Sequence, residues 1–70
     1  MTVEQYRFQL AWSASELARR AGVSPQTVAR LERGEPVRYH IVAAIAKALG
    51  EGLGRTLTLN DLEGVSIAEG

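Results

Sequence analysis

Residues 16–35, ELARRAGVSPQTVARLERGE, narrow the folds open to this chain more than any other stretch. Leu17, Ala18 and Ala21 form a narrow apolar stripe, and Ser13 precedes Glu16 by the three residues of a capping box. That spacing predicts a helix over about 14–21. Gly22 stands where it should stop, because a left-handed residue after the last turn is nearly free for glycine and costs other residues about 1 kcal/mol. Only Val23 separates Gly22 from Ser24, a good N-cap, and Pro25 follows at the first helical position, where its missing N–H does no harm. A second helix therefore begins about three residues after the first ends, and it runs to Gly34. So short a turn forbids an antiparallel pair. The helices must cross steeply, as in a helix-turn-helix, with the second held proud of the surface.

The rest of the chain supplies a support for that pair. Thr2 and Gln5 have capping-box spacing, and Val3, Tyr6 and Leu10 follow at helical intervals, predicting a helix over about 3–11. After EPVR, read as a loop, YHIVAAIAKALG places Ile41, Val42, Ile45, Ala48 and Leu49 on one face and closes at Gly50. EGLGRT reads as a loop. LTLNDLEG fits either a short helix capped by Thr58 with Asp61 as box partner, or a strand over 56–59; the helix is preferred. The expected class is all-α, a compact bundle of four or five short helices around one core.

Size and composition exclude most other functions. A chain of 70 residues buries only about 60% of its unfolded surface, which leaves little room for a catalytic cleft. It contains no cysteine, so disulfides and thiolate-bound metal are excluded and a reducing cytoplasm fits. The longest apolar run, IVAAIA, is far below the roughly 18 residues of a membrane span, and the start MTVEQYRFQL is no secretion signal. His40 is the only histidine, and no paired carboxylates, nucleophile with base, or phosphate-cradling glycine loop is present. Neither enzyme nor cofactor is expected. The zero net charge conceals a split: seven bases against four acids up to Gly50 leave +3, and one base against four acids beyond it leaves −3. A basic body with an acidic tail suits a polyanionic partner.

The helix after Ser24 carries suitable chemistry. At about 100° per residue, Val28 and Leu31 share one face, Glu32 lies at its margin, and Gln26, Arg30 and Arg33 project from the other side. A protruding helix fits the DNA major groove, which is about 12 Å wide; there Gln can bridge N6 and N7 of adenine, and Arg can bridge O6 and N7 of guanine.

Residues 6–50 resemble the phage-repressor-type helix-turn-helix family, the lambda and Cro-like or Xre-type DNA-binding domains. The likeness lies in the Leu-Ala, Ala-Gly-Val-Ser and Leu-Glu-x-Gly elements of ELARRAGVSPQTVARLERG and in the IAKALG that follows. It implies sequence-specific binding of a double-stranded DNA operator by a small transcriptional regulator, a repressor acting as a homodimer in a prokaryotic or phage cytoplasm, in association with the nucleoid. By the same resemblance Pro25, Gln26 and Arg30 read bases, Pro25 by apolar contact alone. Ser24, Thr27, Arg33 and Arg38 face the DNA backbone. Ala14 stands where the family often has Gln, so Ser13 and Ser15 take over its phosphate contact. The family further implies a buried ion pair between Arg7 and Glu32, and it usually lacks an insertion such as EGLGRT. Residues 1–50 are thus read as the DNA-binding domain, and 51–70 as an acidic tail for dimerisation or a protein partner, with Leu53 and Leu57 as candidate contacts. The alternatives are a DNA-binding antitoxin, or a protein-interaction module on the same fold. Arg19 and Arg20 read as solvated, Trp12 as core, and His40 and Phe8 as exposed.

Overall fold

The computed structural model describes residues 1–68. It contains four α-helices, α1 (Val3–Gln9), α2 (Ala14–Ala21), α3 (Pro25–Glu32) and α4 (Tyr39–Leu53), two short strands, β1 (Pro36–Arg38) and β2 (Ser66–Ala68), and a 3-10 turn over Leu59–Asp61. The fold is mostly helical. The all-α expectation needs one correction, because EPVR is not simply a loop: β1 pairs in parallel with β2, matching Pro36 to Ser66, Val37 to Ile67 and Arg38 to Ala68. Val37 points into the core between two exposed neighbours, an alternation too short to register as a strand in sequence.

The helix starts follow the polar caps. Thr2 Oγ1 accepts the Gln5 N–H at 3.1 Å while Gln5 Oε1 accepts the Thr2 N–H at 2.8 Å, and Ser13 Oγ accepts the Glu16 N–H at 3.0 Å. Two helix ends differ from expectation. α1 stops at Gln9 and not at 11, because Ala11 turns left-handed (φ 56°) and the Ala11 and Trp12 N–H groups return to the Phe8 and Arg7 carbonyls, each at 3.0 Å. This is a Schellman ending with alanine where glycine is usual, so no glycine announces it. α4 passes through Gly50 and Gly52 and ends at Leu53, with left-handed Gly54 (φ 75°) after it. The first half of EGLGRT, residues 51–53, is thereby helix, not loop. Gly50 serves close approach: a Cβ there would lie 2.5 Å from the Arg55 carbonyl oxygen and 3.1 Å from the Leu57 nitrogen.

One core unites these elements. Leu17, Leu31, Ile45, Leu49, Val3, Val28 and Val42 are fully buried, and α2 packs against both α3 and α4. The tail joins this core through Leu57 and Leu62. Tyr6 Oη donates to the Asp61 carbonyl at 3.1 Å, and the terminal ammonium of Met1 meets Glu63 at 2.8 Å. Over 56–59 no strand forms; Asp61 accepts the Thr58 N–H at 2.8 Å and starts the 3-10 turn. Leu57, offered above as a contact for a second chain, is buried in its own, whereas Leu53 stays partly exposed. Glu69 and Gly70 of the tail lie outside the described residues. No helix among the described residues is long and apolar enough to cross a membrane.

Candidate nucleic-acid interface

Gly22 (φ 73°) turns the chain out of α2, and the Val23 N–H returns to the Ala18 carbonyl at 2.9 Å. Nothing lies within 4 Å of a Cβ built on Gly22, so its requirement is conformational, not spatial. Ser24 then caps α3, its Oγ accepting the Thr27 N–H at 3.2 Å and lying 2.9 Å from Thr27 Oγ1. Two hydroxyls sharing one hydrogen bond leave one O–H free for a phosphate oxygen. The first turn of α3 carries no acidic residue, unlike those of α1 and α2, so its positive end is not neutralised from within.

Val28 and Leu31 anchor α3 to the core, leaving Pro25, Gln26, Arg30 and Arg33 exposed. Thr27, Arg30 and Arg38 line one shallow recess together with Pro36, Val37 and Ile41, so β1 and the start of α4 flank α3. A second recess joins Ser24 and Thr27 to His40, which is exposed. Ser13 and Ser15, exposed at the start of α2, border neither recess; Ser13 Oγ accepts the Glu16 N–H of its own helix cap, which leaves its O–H to donate elsewhere. Arg19 and Arg20 both pair with Glu16, and the Arg20 guanidinium also lies 4.4 Å from the centre of the half-buried Trp12 ring.

Arg7 fastens α1 to α3. Its Nε and Nη2 donate to the two carboxylate oxygens of Glu32 at 2.9 and 3.0 Å, and Nη1 donates to the Trp12 carbonyl at 3.1 Å. The side chains are only 12% and 13% exposed, and the Glu32 hydrogen bonds raise the Arg7 pKa above its ordinary value.

Beyond these helices, a family model for helix-turn-helix domains, HTH_3, matches residues 3–55, from the first residue of α1 to just past the end of α4. The chain belongs to the Xre-type helix-turn-helix family. Members of this Xre-type family are DNA-binding regulators, and the domain is assigned to that class. No curated protein and no solved structure matches it significantly.

One residue of the Xre-type domain's exposed face escaped the sequence reading. Glu35 Oε2 accepts from Arg33 Nε at 2.6 Å, and Glu35 Oε1 lies 3.6 Å from Arg30 Nε. The Arg33 hydrogen bond, with a smaller contribution from Arg30, holds the Glu35 carboxyl below the usual glutamate range. The charged cluster at the end of ERGE was visible, but only the turn at left-handed Gly34 (φ 82°) folds Glu35 back towards Arg30.

Proposed function

We propose that this domain binds a double-stranded DNA operator sequence-specifically, with α3 in the major groove, as a homodimeric transcriptional repressor in a prokaryotic or phage cytoplasm. The observation that carries this reading is the pairing on α3 of exposed Gln26 and Arg30, one turn apart, with Thr27 and Arg38 grouped around Arg30. Gln26 matches adenine, Arg30 matches guanine, and Pro25 offers apolar contact at the helix start. Ser24, Thr27, Arg33 and Arg38 hold the phosphates that set the register, and Ser13 and Ser15 contribute from the start of α2.

One recognition helix with so few readers binds weakly alone, so two copies on half-sites about 34–36 Å apart make the effective unit. Leu53 is the tail residue we assign to that contact. An antitoxin would reserve its tail for a toxin; here Leu57, Leu62 and β2 commit the tail to the chain's own core and sheet, which favours the regulator. Two substitutions test the assignment. Gln26→Ala relaxes the preference at one base position, worth about 1–3 kcal/mol of discrimination. Arg38→Ala weakens binding to every sequence alike and lowers the salt slope by about one unit. Binding titrations on matched and mismatched duplexes distinguish the two, and an unchanged preference in Gln26→Ala removes that residue from the base-reading set.

A further inference from the structure

We propose that Glu35 is a specificity determinant of the DNA-binding face: one carboxylate occupies the guanidiniums of both Arg30 and Arg33 and suppresses their use on duplex of the wrong sequence. This rests on the DNA-binding reading above. Three observations carry it. The Glu35 backbone N–H bonds to the Arg30 carbonyl at 3.0 Å, which fixes Glu35 against the last turn of α3. Its side chain then reaches Arg33 at 2.6 Å and Arg30 at 3.6 Å. The three side chains are 56%, 60% and 44% exposed for Arg30, Arg33 and Glu35, so the cluster lies on the surface that a duplex would approach.

An exposed ion pair is weak and exchanges readily. It is therefore a competitor that a better acceptor displaces, not a lock. Non-specific affinity comes almost wholly from cations that neutralise phosphates and release counterions. Two arginines already sharing a carboxylate release less, because each phosphate gained costs a contact to Glu35. A guanine placed under Arg30 offers O6 and N7 in the geometry of the guanidinium fork, two directed hydrogen bonds that offset the loss of the single 3.6 Å contact to Glu35. Glu35 consequently penalises wrong duplexes more than the right one, discriminating by an unfavourable contact to the competitor and not only by a favourable one to the target.

The test compares the wild-type chain with Glu35→Gln, and with Glu51→Gln as a control that removes a negative charge near the other end of α4. Dissociation constants are measured for a selected duplex and for a scrambled one, from about 50 to 200 mM salt. Glu35 is only part-buried and Gln keeps its shape, so the fold survives the change. The expected result is that Glu35→Gln tightens the scrambled duplex about three- to tenfold, with a salt slope steeper by about one unit. The selected duplex gains less, and the preference narrows, whereas Glu51→Gln leaves the preference unchanged. In an Arg33→Ala background the effect of Glu35→Gln shrinks. Equal tightening of both duplexes by both Gln variants overturns the proposal, since Glu35 then acts only through net charge. Weakening of both duplexes by Glu35→Gln also overturns it. A wild-type chain that shows no preference to narrow brings down the DNA-reading assignment along with the proposal, an outcome that differs from either of these.

Discussion

Glu32→Ala lowers the melting temperature by at least about 8 °C, the largest loss expected from any single substitution outside the hydrophobic core. The change strands the Arg7 guanidinium at a site only 12% exposed, with the Trp12 carbonyl and a distant Glu4 carboxylate (3.8 Å) as its remaining acceptors. Breaking a fully buried pair costs about 3–5 kcal/mol; with some solvent reaching both partners here, about 2–4 kcal/mol is expected. For a domain of this size each kcal/mol moves the midpoint by about 4–8 °C. The double change Arg7→Met with Glu32→Leu recovers much of the loss, because two apolar side chains leave no charge unpaired. Thermal melts of the wild type and both variants check this, and a Glu32→Ala melt within error of wild type would mean that the pair contributes nothing. The stake is functional too, since Arg7 ties α1 and the α1–α2 connection to the helix that carries Gln26 and Arg30.

Gly50→Ala destabilises the domain by about 2 kcal/mol even though alanine is the better helix former. Helix propensity contributes about 1 kcal/mol in favour of the change. Against it, the new methyl would sit 2.5 Å from the Arg55 carbonyl oxygen and 3.1 Å from the Leu57 nitrogen. Both are backbone atoms, and Leu57 is buried beside them, so the segment cannot move aside without disturbing the core. Overpacking of this kind costs about 1–3 kcal/mol, and more where the neighbours are rigid. Urea denaturation measures the balance; a Gly50→Ala chain as stable as wild type would show that the 55–57 segment yields freely.

These two residues mark how far the fold could be read from sequence. Glu32 was legible at two levels, by its place at the margin of the α3 apolar stripe and by the family resemblance that pairs it with Arg7. Gly50 was not. A glycine after an apolar helical run reads as a helix stop, and the true stop at Gly54 lies one turn on. What separates them is a close backbone approach from residues five and seven positions later, which no local pattern encodes. The early end of α1 was hidden for the converse reason, since Ala11 adopts a conformation that usually advertises itself through glycine. The parallel pairing of β1 with β2 joins residues about thirty apart in three-residue strands, too short for alternation to mark.

The candidate interface was read unevenly. Caps and outward positions on α3 follow from helical period, so Ser24, Pro25, Gln26 and Arg30 stood out at once. The grouping of Thr27 and Arg38 around Arg30 depends on where β1 enters α4. Glu35 stayed unseen because its partners are chosen by a left-handed turn at Gly34, not by helical spacing.

Whether α3 reads sequence is decided by selection of duplexes from a random pool by the purified protein at about 150 mM salt, since purely non-specific binding is weak there. An enriched palindrome with half-sites about one helical turn apart is the expected outcome. Each half-site should contain a base pair whose preference disappears in Gln26→Ala. A folded protein that enriches no sequence would contradict this role of α3.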